Sequence, residues 1–455
     1  MESILRSVNG ILWGIPVLIM IIIVGVMLTI RSRAAQIRLL PAAFSQLIRS
    51  IRDRNKTNQN FSSYRALCTA LAATVGTGNI AGVAGAIALG GPGVILWMWI
   101  CAILGMIIKF SEVMLAMHFR CMDPQIGYVG GPMYMIENGL PRRMRFLAVL
   151  YCCFGVIAAL GVGNATQINA VTDGIERIVH SFHLPFNNMS RIVIGVIIAV
   201  LIFSIIWRGA FGIGQLTERL IPFASLLYIL LSIIVIALRI EYLPGAFRAI
   251  LLGAFNPRAV TGGFLCSLFL TIRVGVARGI FTNEAGMGTS SIAHASSQAH
   301  TPMEQGLMGI IEVFLDTIVI CTLTALVILC SGTAIAYGTD PGIGLTLDSF
   351  SCVLGDWSSL VVTVLVCLFA FATVLGWGLY GGRCCQYLFG NSGWKYFVFA
   401  QSIAVILGAT LKTSVVWEFS ELVNGLMAIP NLTALILLSG SFIRILKDSE
   451  KAYRI

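Results

Sequence analysis

Residues 72–82 read Ala-Ala-Thr-Val-Gly-Thr-Gly-Asn-Ile-Ala-Gly, inside a run from Ala66 to Ile108 that carries no charge. A run of that length suits two membrane crossings, with Gly90-Gly91-Pro92-Gly93 as the turn between them. Gly76 and Gly78 then fall in mid-crossing, where two glycines within three residues weaken a helix. The rest of the chain fits this setting. Of its 455 residues 57% are apolar and 11% charged, with a mean hydropathy of +0.90. That excludes a soluble enzyme, a nucleic-acid-binding domain and a disordered chain. It also excludes an outer-membrane barrel, whose strands alternate and read only moderately apolar. The net charge of +10 comes from basic residues in the loops between apolar runs, as orientation in a bilayer requires. The cysteines lie mostly inside apolar runs without a C-x-x-C. Neither a disulfide framework nor a thiolate metal site is expected.

Working outward, the sequence predicts eleven crossings. The first is Ile11–Ile30, read as a retained span because a basic stretch follows it and no small-residue cleavage site does. Two come from Ala66–Ile108. The others are Phe146–Thr172, Ile192–Trp207, Leu220–Leu238, an interrupted one around Gly262–Ser291, Met308–Cys330, Trp357–Gly382, Tyr396–Leu411 and Leu422–Ile443. Residues 31–60 carry Arg31, Arg33, Arg38, Arg49, Arg52, Arg54 and Lys56, which assigns that loop to the cytoplasm. The N-terminus is then outside and the C-terminus inside. The loop 332–356, with Asp340, Asp348, Asp356 and no basic residue, falls outside. Ile37–Ile51 reads as an amphipathic helix on the inner leaflet.

Two crossings are unusual. One holds Gly76 and Gly78. The other, the seventh, holds Arg273-Val-Gly-Val-Ala-Arg-Gly-Ile-Phe281 followed by Asn283-Glu-Ala-Gly-Met-Gly288. With the first crossing set aside, ten remain. They divide into two groups of five, each headed by an interrupted crossing, and an odd number per group inverts one half against the other. Interrupted helices at matching places in inverted halves point to the binding site of a secondary transporter. The expected organisation is 1–60 as an N-terminal helix with a basic interfacial segment, 61–240 and 241–445 as two inverted five-helix repeats, and 446–455 as a cytoplasmic tail. The plainer alternative is that these glycines serve close helix packing, as in Gly78-x-x-x-Gly82. A break leaves carbonyls free at one half-helix end and N–H groups at the next. The first suit a cation and the second a carboxylate. A zwitterionic amino acid travelling with Na+ matches such a site.

Other motifs carry less. Residues 76–82 are not G-x-G-x-x-G, and there is no P-loop and no Ser/His/Asp arrangement, so an enzyme is not expected. Asn164 and Gln167 are i, i+3 and predicted to share a face, for ligand contact or interhelical bonding. Thr373 and Trp377 share a face with Ala370 one turn earlier. A threonine hydroxyl there suits a hard cation, or bonds back to its own helix. Glu312 and Asp316 form either a proton or cation site or, by preference, the partners of Arg273 or Arg278. Lys109 and Glu112 look like a structural pair.

Four stretches together carry a resemblance: Gly76–Ala84, the Gly130-Gly-Pro-Met-Tyr134 loop, Val276–Gly286, and Asp316-Thr317 with Cys321–Ala325. The chain resembles the bacterial and archaeal sodium:alanine symporter family, of the leucine-transporter-like fold. The resemblance implies a multi-pass protein of the prokaryotic plasma membrane, working as a monomer. It would carry alanine, glycine or sometimes glutamine with Na+, or in some cases H+, and have no cofactor beyond the coupling ion. It further implies that the N–H groups of Thr77 and Gly78 meet the substrate carboxylate. Asn79 and Gln167 would make polar substrate contacts. Gly279 and Ile280 would offer backbone to the amino group at the second break, and Trp377 with Ile280 or Phe281 would wall the side-chain pocket. Na+ would be held by the carbonyls of Ala72, Val75 and Ala370 and the hydroxyl of Thr373.

Overall fold

The computed structural model describes residues 16–53, 61–181, 183–256, 267–339, 341–410 and 413–453, with the side chains of Ser181, 413–421 and Tyr453 excepted. Parts of the expected crossings, residues 11–15, 262–266 and Leu411, lie outside the described residues. So do Arg54, Lys56 and Asp340.

Nearly all of the described chain is helical. Seven helical segments are long and apolar enough to cross a membrane, among them Val94–His118, Gly209–Leu238 and Asp356–Phe389. An eighth crossing is the pair Ser63–Thr74 and Gly78–Gly90, bent by 52°. Three further expected crossings fall on Pro16–Arg31, Leu268–Asn283 and Ser392–Gly408, of 16, 16 and 17 residues. Each ends within three residues of chain outside the description.

Local signals set the helix ends. Ser62 accepts the Arg65 amide at 3.1 Å, and Thr301 accepts that of Glu304 with Pro302 in the first turn. Asn187 and Ser190 form a reciprocal capping box. Residues 119–131 hold a small antiparallel hairpin, Cys121–Asp123 with Gly127–Val129, which the apolar pattern does not foretell.

Burial sorts the helices into an inner and an outer set. Ser63–Thr74 has ten of its twelve residues buried. Asn188–Ile206 buries only Gly195, Ala199, Ile202 and Ile206, a stripe of one residue per turn. Gly195 on that stripe packs against Ala409, close enough that a Cβ would lie 2.9 Å from the alanine methyl. Many other apolar side chains of the outer helices, such as Val200 and Phe223, are exposed and face where lipid would be. The amphipathic expectation holds in outline: Leu40–Asp53 is a helix whose Ile48 and Ile51 are exposed while Phe44 meets Phe314 edge-on at 5.4 Å. Arg38 anchors this region to the last helix through Glu450 at 2.6 Å.

Candidate functional site

The chain leaves helical geometry between Thr74 and Gly78. The Val75 amide still bonds to Leu71, but the Gly76 amide turns away and donates to the Asn79 side chain at 3.0 Å. Among the described residues the carbonyls of Ala72 and Val75 and the amides of Thr77 and Gly78 take no hydrogen bond. The helix resumes at Gly78–Gly82 as one π-helical turn, a form that recurs at functional sites.

Two further π-helical stretches meet this one. At Gly161–Ala165 the wider turn is followed by Gln167, whose Oε1 accepts the Thr77 hydroxyl at 3.2 Å. At Phe314–Cys321 it carries Asp316, whose Oδ1 accepts from Asn79 Nδ2 at 2.6 Å. Helix Asp356–Phe389 closes the other side. A Cβ on Gly76 would lie 2.8 Å from the Thr373 hydroxyl and 3.6 Å from Gln167 Oε1. The Thr373 hydroxyl donates to Phe369 O at 3.0 Å, which leaves its oxygen lone pairs free as acceptors. Phe281 lies over Gly78, with ring carbon Cδ1 3.5 Å from where a Cβ would stand. Thr77, Gln167 and Thr373 are all buried. The arrangement therefore offers carbonyl and hydroxyl oxygens on one side of a break and two free amides on the other, out of reach of bulk water.

The second interruption is of another kind. It lies at Glu284–Gly288, where Glu284, Gly286 and Gly288 all take left-handed conformations, at φ 53°, 91° and 75°. Its polar groups are largely taken. Ala285 N–H donates to Asn283 Oδ1 at 3.0 Å, Gly286 O accepts Asn431 Nδ2 at 2.8 Å, and Glu284 Oε2 accepts the Thr289 hydroxyl at 2.5 Å. A chain of hydrogen bonds joins the two interruptions. Asn283 Nδ2 donates to the Thr317 hydroxyl at 3.2 Å, Thr317 donates to Asp316 Oδ2 at 2.8 Å, and Asp316 holds Asn79.

A family model described as the sodium:alanine symporter family matches residues 1–454. The chain belongs to that family. It is 39% identical over 442 residues to the sodium/alanine symporter AgcS of Methanococcus maripaludis, covering 96% of this chain and 95% of the relative. It is 41% identical over 452 residues to a Haemophilus influenzae protein known as an uncharacterized transporter, covering 98% and 96%. Among solved structures, MhsT in complex with L-phenylalanine superposes with a TM-score of 0.64 at 16% identity, over 86% of this chain and 92% of that one. That likeness establishes a shared leucine-transporter-like fold. The sodium:alanine symporter membership makes this a multi-pass membrane transport protein.

Against the sequence expectations, the structure gathers Thr77, Gly78, Gln167, Thr373 and Phe281 at the first break, with Ala72, Val75 and Ala370 buried close by in the chain. Trp377 is also buried but packs on Gly163 and Tyr380. Several expectations are corrected. Gly279 and Ile280 sit within the continuous helix Leu268–Asn283, where Ile280 O already accepts the Glu284 amide at 2.8 Å. Gly275 and Gly279 instead serve packing: a Cβ on Gly275 would stand 2.6 Å from Val94 O, and one on Gly279 3.1 Å from Cys101. The side chain of Asn79 is spent within the protein, on Gly76 and Asp316. Asn164 and Gln167 do not act together, for Asn164 bonds across to Gln401 O at 3.2 Å while Gln167 turns to Thr77.

The acids find partners other than Arg273 and Arg278. Glu312 meets Lys109 at 3.2 Å and His294 at 3.0 Å, and Gln305 Nε2 closes on His294 Nδ1 at 2.6 Å. Lys109 thus pairs with Glu312 rather than Glu112, whose Oε1 accepts Asn431 Nδ2 at 2.6 Å. No local spacing foretells these pairs, because Lys109 and Glu312 stand on helices far apart in sequence.

Proposed function

We propose that the protein carries a small neutral amino acid, alanine or glycine, into the cell together with Na+, and binds both at the first break. The observation that supports this most is the one-sided division of unpaired groups there. The carbonyls of Ala72 and Val75, with the Ala370 carbonyl and the Thr373 hydroxyl, would hold Na+, a hard cation that takes oxygen ligands. The amides of Thr77 and Gly78 would take the substrate carboxylate at the positive end of the resumed helix. Gln167 would orient the substrate through Thr77. Phe281 would limit side-chain size from one side. Because Gly279 and Ile280 lie in unbroken helix, the substrate amino group is better served by the carbonyl end of the first break than by those residues.

Transport would proceed by alternating access around this site, in a monomer with its N-terminus outside and C-terminus inside. With a 52° bend between the two segments, the half-helix Ser63–Thr74 would swing while Gly78–Gly90 stays in place. Two contacts hold that half-helix shut on the side the charge pattern assigns to the cytoplasm: Arg65 with Glu218 at 2.7 Å, and Thr69 with Thr217 at 3.1 Å. Na+ at the break would order the carbonyl end and so favour the closed half-helix, with substrate completing closure.

Uptake of labelled alanine into proteoliposomes, under an inward Na+ gradient and a matched K+ gradient, tests the reading. Uptake with Na+ alone is expected. One observation favours a proton-coupled form of the same site: Asp316 is fully buried and its partners Asn79 and Thr317 are neutral. Uptake that follows a pH gradient without Na+ would select that form.

A further inference from the structure

Away from the broken helices, a cavity of about 550 Å³ opens between four elements. Its walls carry three cationic side chains and no carboxylate. Arg208 comes from the corner between Asn188–Ile206 and Gly209–Leu238, Arg383 from Asp356–Phe389, and Lys395 from Ser392–Gly408. All three fall at chain positions that the charge pattern assigns to the cytoplasmic side.

No carboxylate among the described residues pairs directly with these cations. Among the described residues the side chains of Arg208 and Lys395 make no ion pair and no hydrogen bond. Arg383 is only 6% exposed, yet it spends one N–H on Gln386 Oε1 at 2.9 Å and leaves its buried Nε without an acceptor. Its guanidinium stands 5.8 Å from the Trp394 ring. The acid of the neighbouring hairpin, Asp123, accepts the amides of Gln125 and Ile126 at 2.8 and 3.1 Å and makes no ion pair with Arg383, although its charge is near enough to act on that guanidinium. A buried guanidinium with an unmet donor is costly unless an anion completes it. The first turn of the 30-residue helix Gly209–Leu238 also borders the cavity, so helix-end amides and dipole add to the positive field.

We propose that this cavity binds a phosphate ester, presented by the headgroup of an anionic phospholipid in the inner leaflet. A phosphodiester matches a guanidinium fork flanked by point charges. The membrane is favoured as its source because two of the residues that line the cavity are large, outward-exposed aromatics. Trp207 and Phe211, both about half exposed, flank it, and Trp207 stacks on Phe203 at 5.2 Å, the kind of aromatic edge found at headgroup level. Basic pockets between crossings on the cytoplasmic side are known headgroup sites. The site shares no residue with the first break, so it stands whether or not the transport reading does.

The test uses the full-length protein purified in detergent. Binding of phosphatidylglycerol, phosphatidylcholine and soluble glycerol 3-phosphate is compared by native mass spectrometry and by thermal midpoint. Wild type is expected to retain phosphatidylglycerol and gain thermal stability from it, but not from phosphatidylcholine. Arg208→Gln with Lys395→Gln, whose charged ends make no ion pair or hydrogen bond among the described residues, should weaken phosphatidylglycerol binding roughly thirtyfold at low salt, two surface charges' worth. Arg383→Gln, if it folds, should weaken it further. Equal phosphatidylglycerol binding by wild type and the double variant would overturn the site. Equal stabilisation by glycerol 3-phosphate without lipid would overturn the lipid as its source.

Discussion

The two interruptions, at Val75–Thr77 and at Glu284–Gly288, look alike as text, each a glycine-rich lapse in an apolar run. In the fold they are opposites. The first has no left-handed residue and leaves carbonyls and amides unpaired. The second packs three left-handed residues into five and gives its groups to Asn283, Asn431 and Thr289. A break whose polar groups are met from within is an anchor. A break whose groups are unmet, in a place closed to water, has reason to bind something, because unpaired buried backbone is costly.

The largest effect is expected where the anchor is strained. Gly288→Ala must hold a left-handed conformation with its methyl 2.3 Å from the Pro132 ring, so a loss of about 3 kcal/mol or more is expected. A collapse of the folded fraction in size-exclusion profiles of detergent extracts would register it; a normal profile would mean the second break is not the rigid anchor described here. Next comes Asp316→Ala, which removes the shortest of the Asn79 contacts, leaving Asn79 only the Asp316 carbonyl and Cys321, and severs the side-chain link between the breaks. Transport per folded molecule should fall by about 5- to 150-fold, the effect of roughly 1–3 kcal/mol, read from initial uptake rates normalised to protein in vesicles. Thr373→Ala removes one oxygen at the first break. It should raise the Na+ concentration for half-maximal uptake by about tenfold while leaving the thermal midpoint nearly unchanged. The smallest effect belongs to Gly82→Ala at the far end of the π turn, where a Cβ meets nothing within 4 Å. Uptake and midpoint should match wild type within error.

Much of this was legible beforehand. Hydropathy sets out the crossings, and Gly76 with Gly78 marks the first break, although Gly376 and Gly378 have the same spacing inside the unbroken helix Asp356–Phe389. Thr373 shares a helical face with Ala370 and Trp377 by spacing; its hydroxyl bonds back to Phe369 O, the plainer of its two expected roles, and only the approach of Gly76 shows that it also lies beside the first break. The second break was displaced because Gly275 and Gly279 read like breakers when they are contact points against Val94 and Cys101. Glycine serves both purposes, and only the facing helix distinguishes them. The π turns were invisible: the third, Phe314–Cys321, contains no glycine, and a 3.6-residue period cannot announce a local 4.4. The partners of Asp316 and Glu312 lay hidden for a related reason. Both acids sit beside Arg273 and Arg278 in chain order of crossings, but Asn79, Lys109 and His294 reach them through the fold.

The central claim is that the first break binds amino acid and Na+ together. The most direct measurement is an alanine-binding isotherm by calorimetry on the purified protein over a series of Na+ concentrations at constant ionic strength. The apparent Kd should fall as Na+ rises, Thr373→Ala should flatten this dependence, and Gly82→Ala should preserve it. An alanine Kd unchanged between Na+ and K+ would contradict the claim.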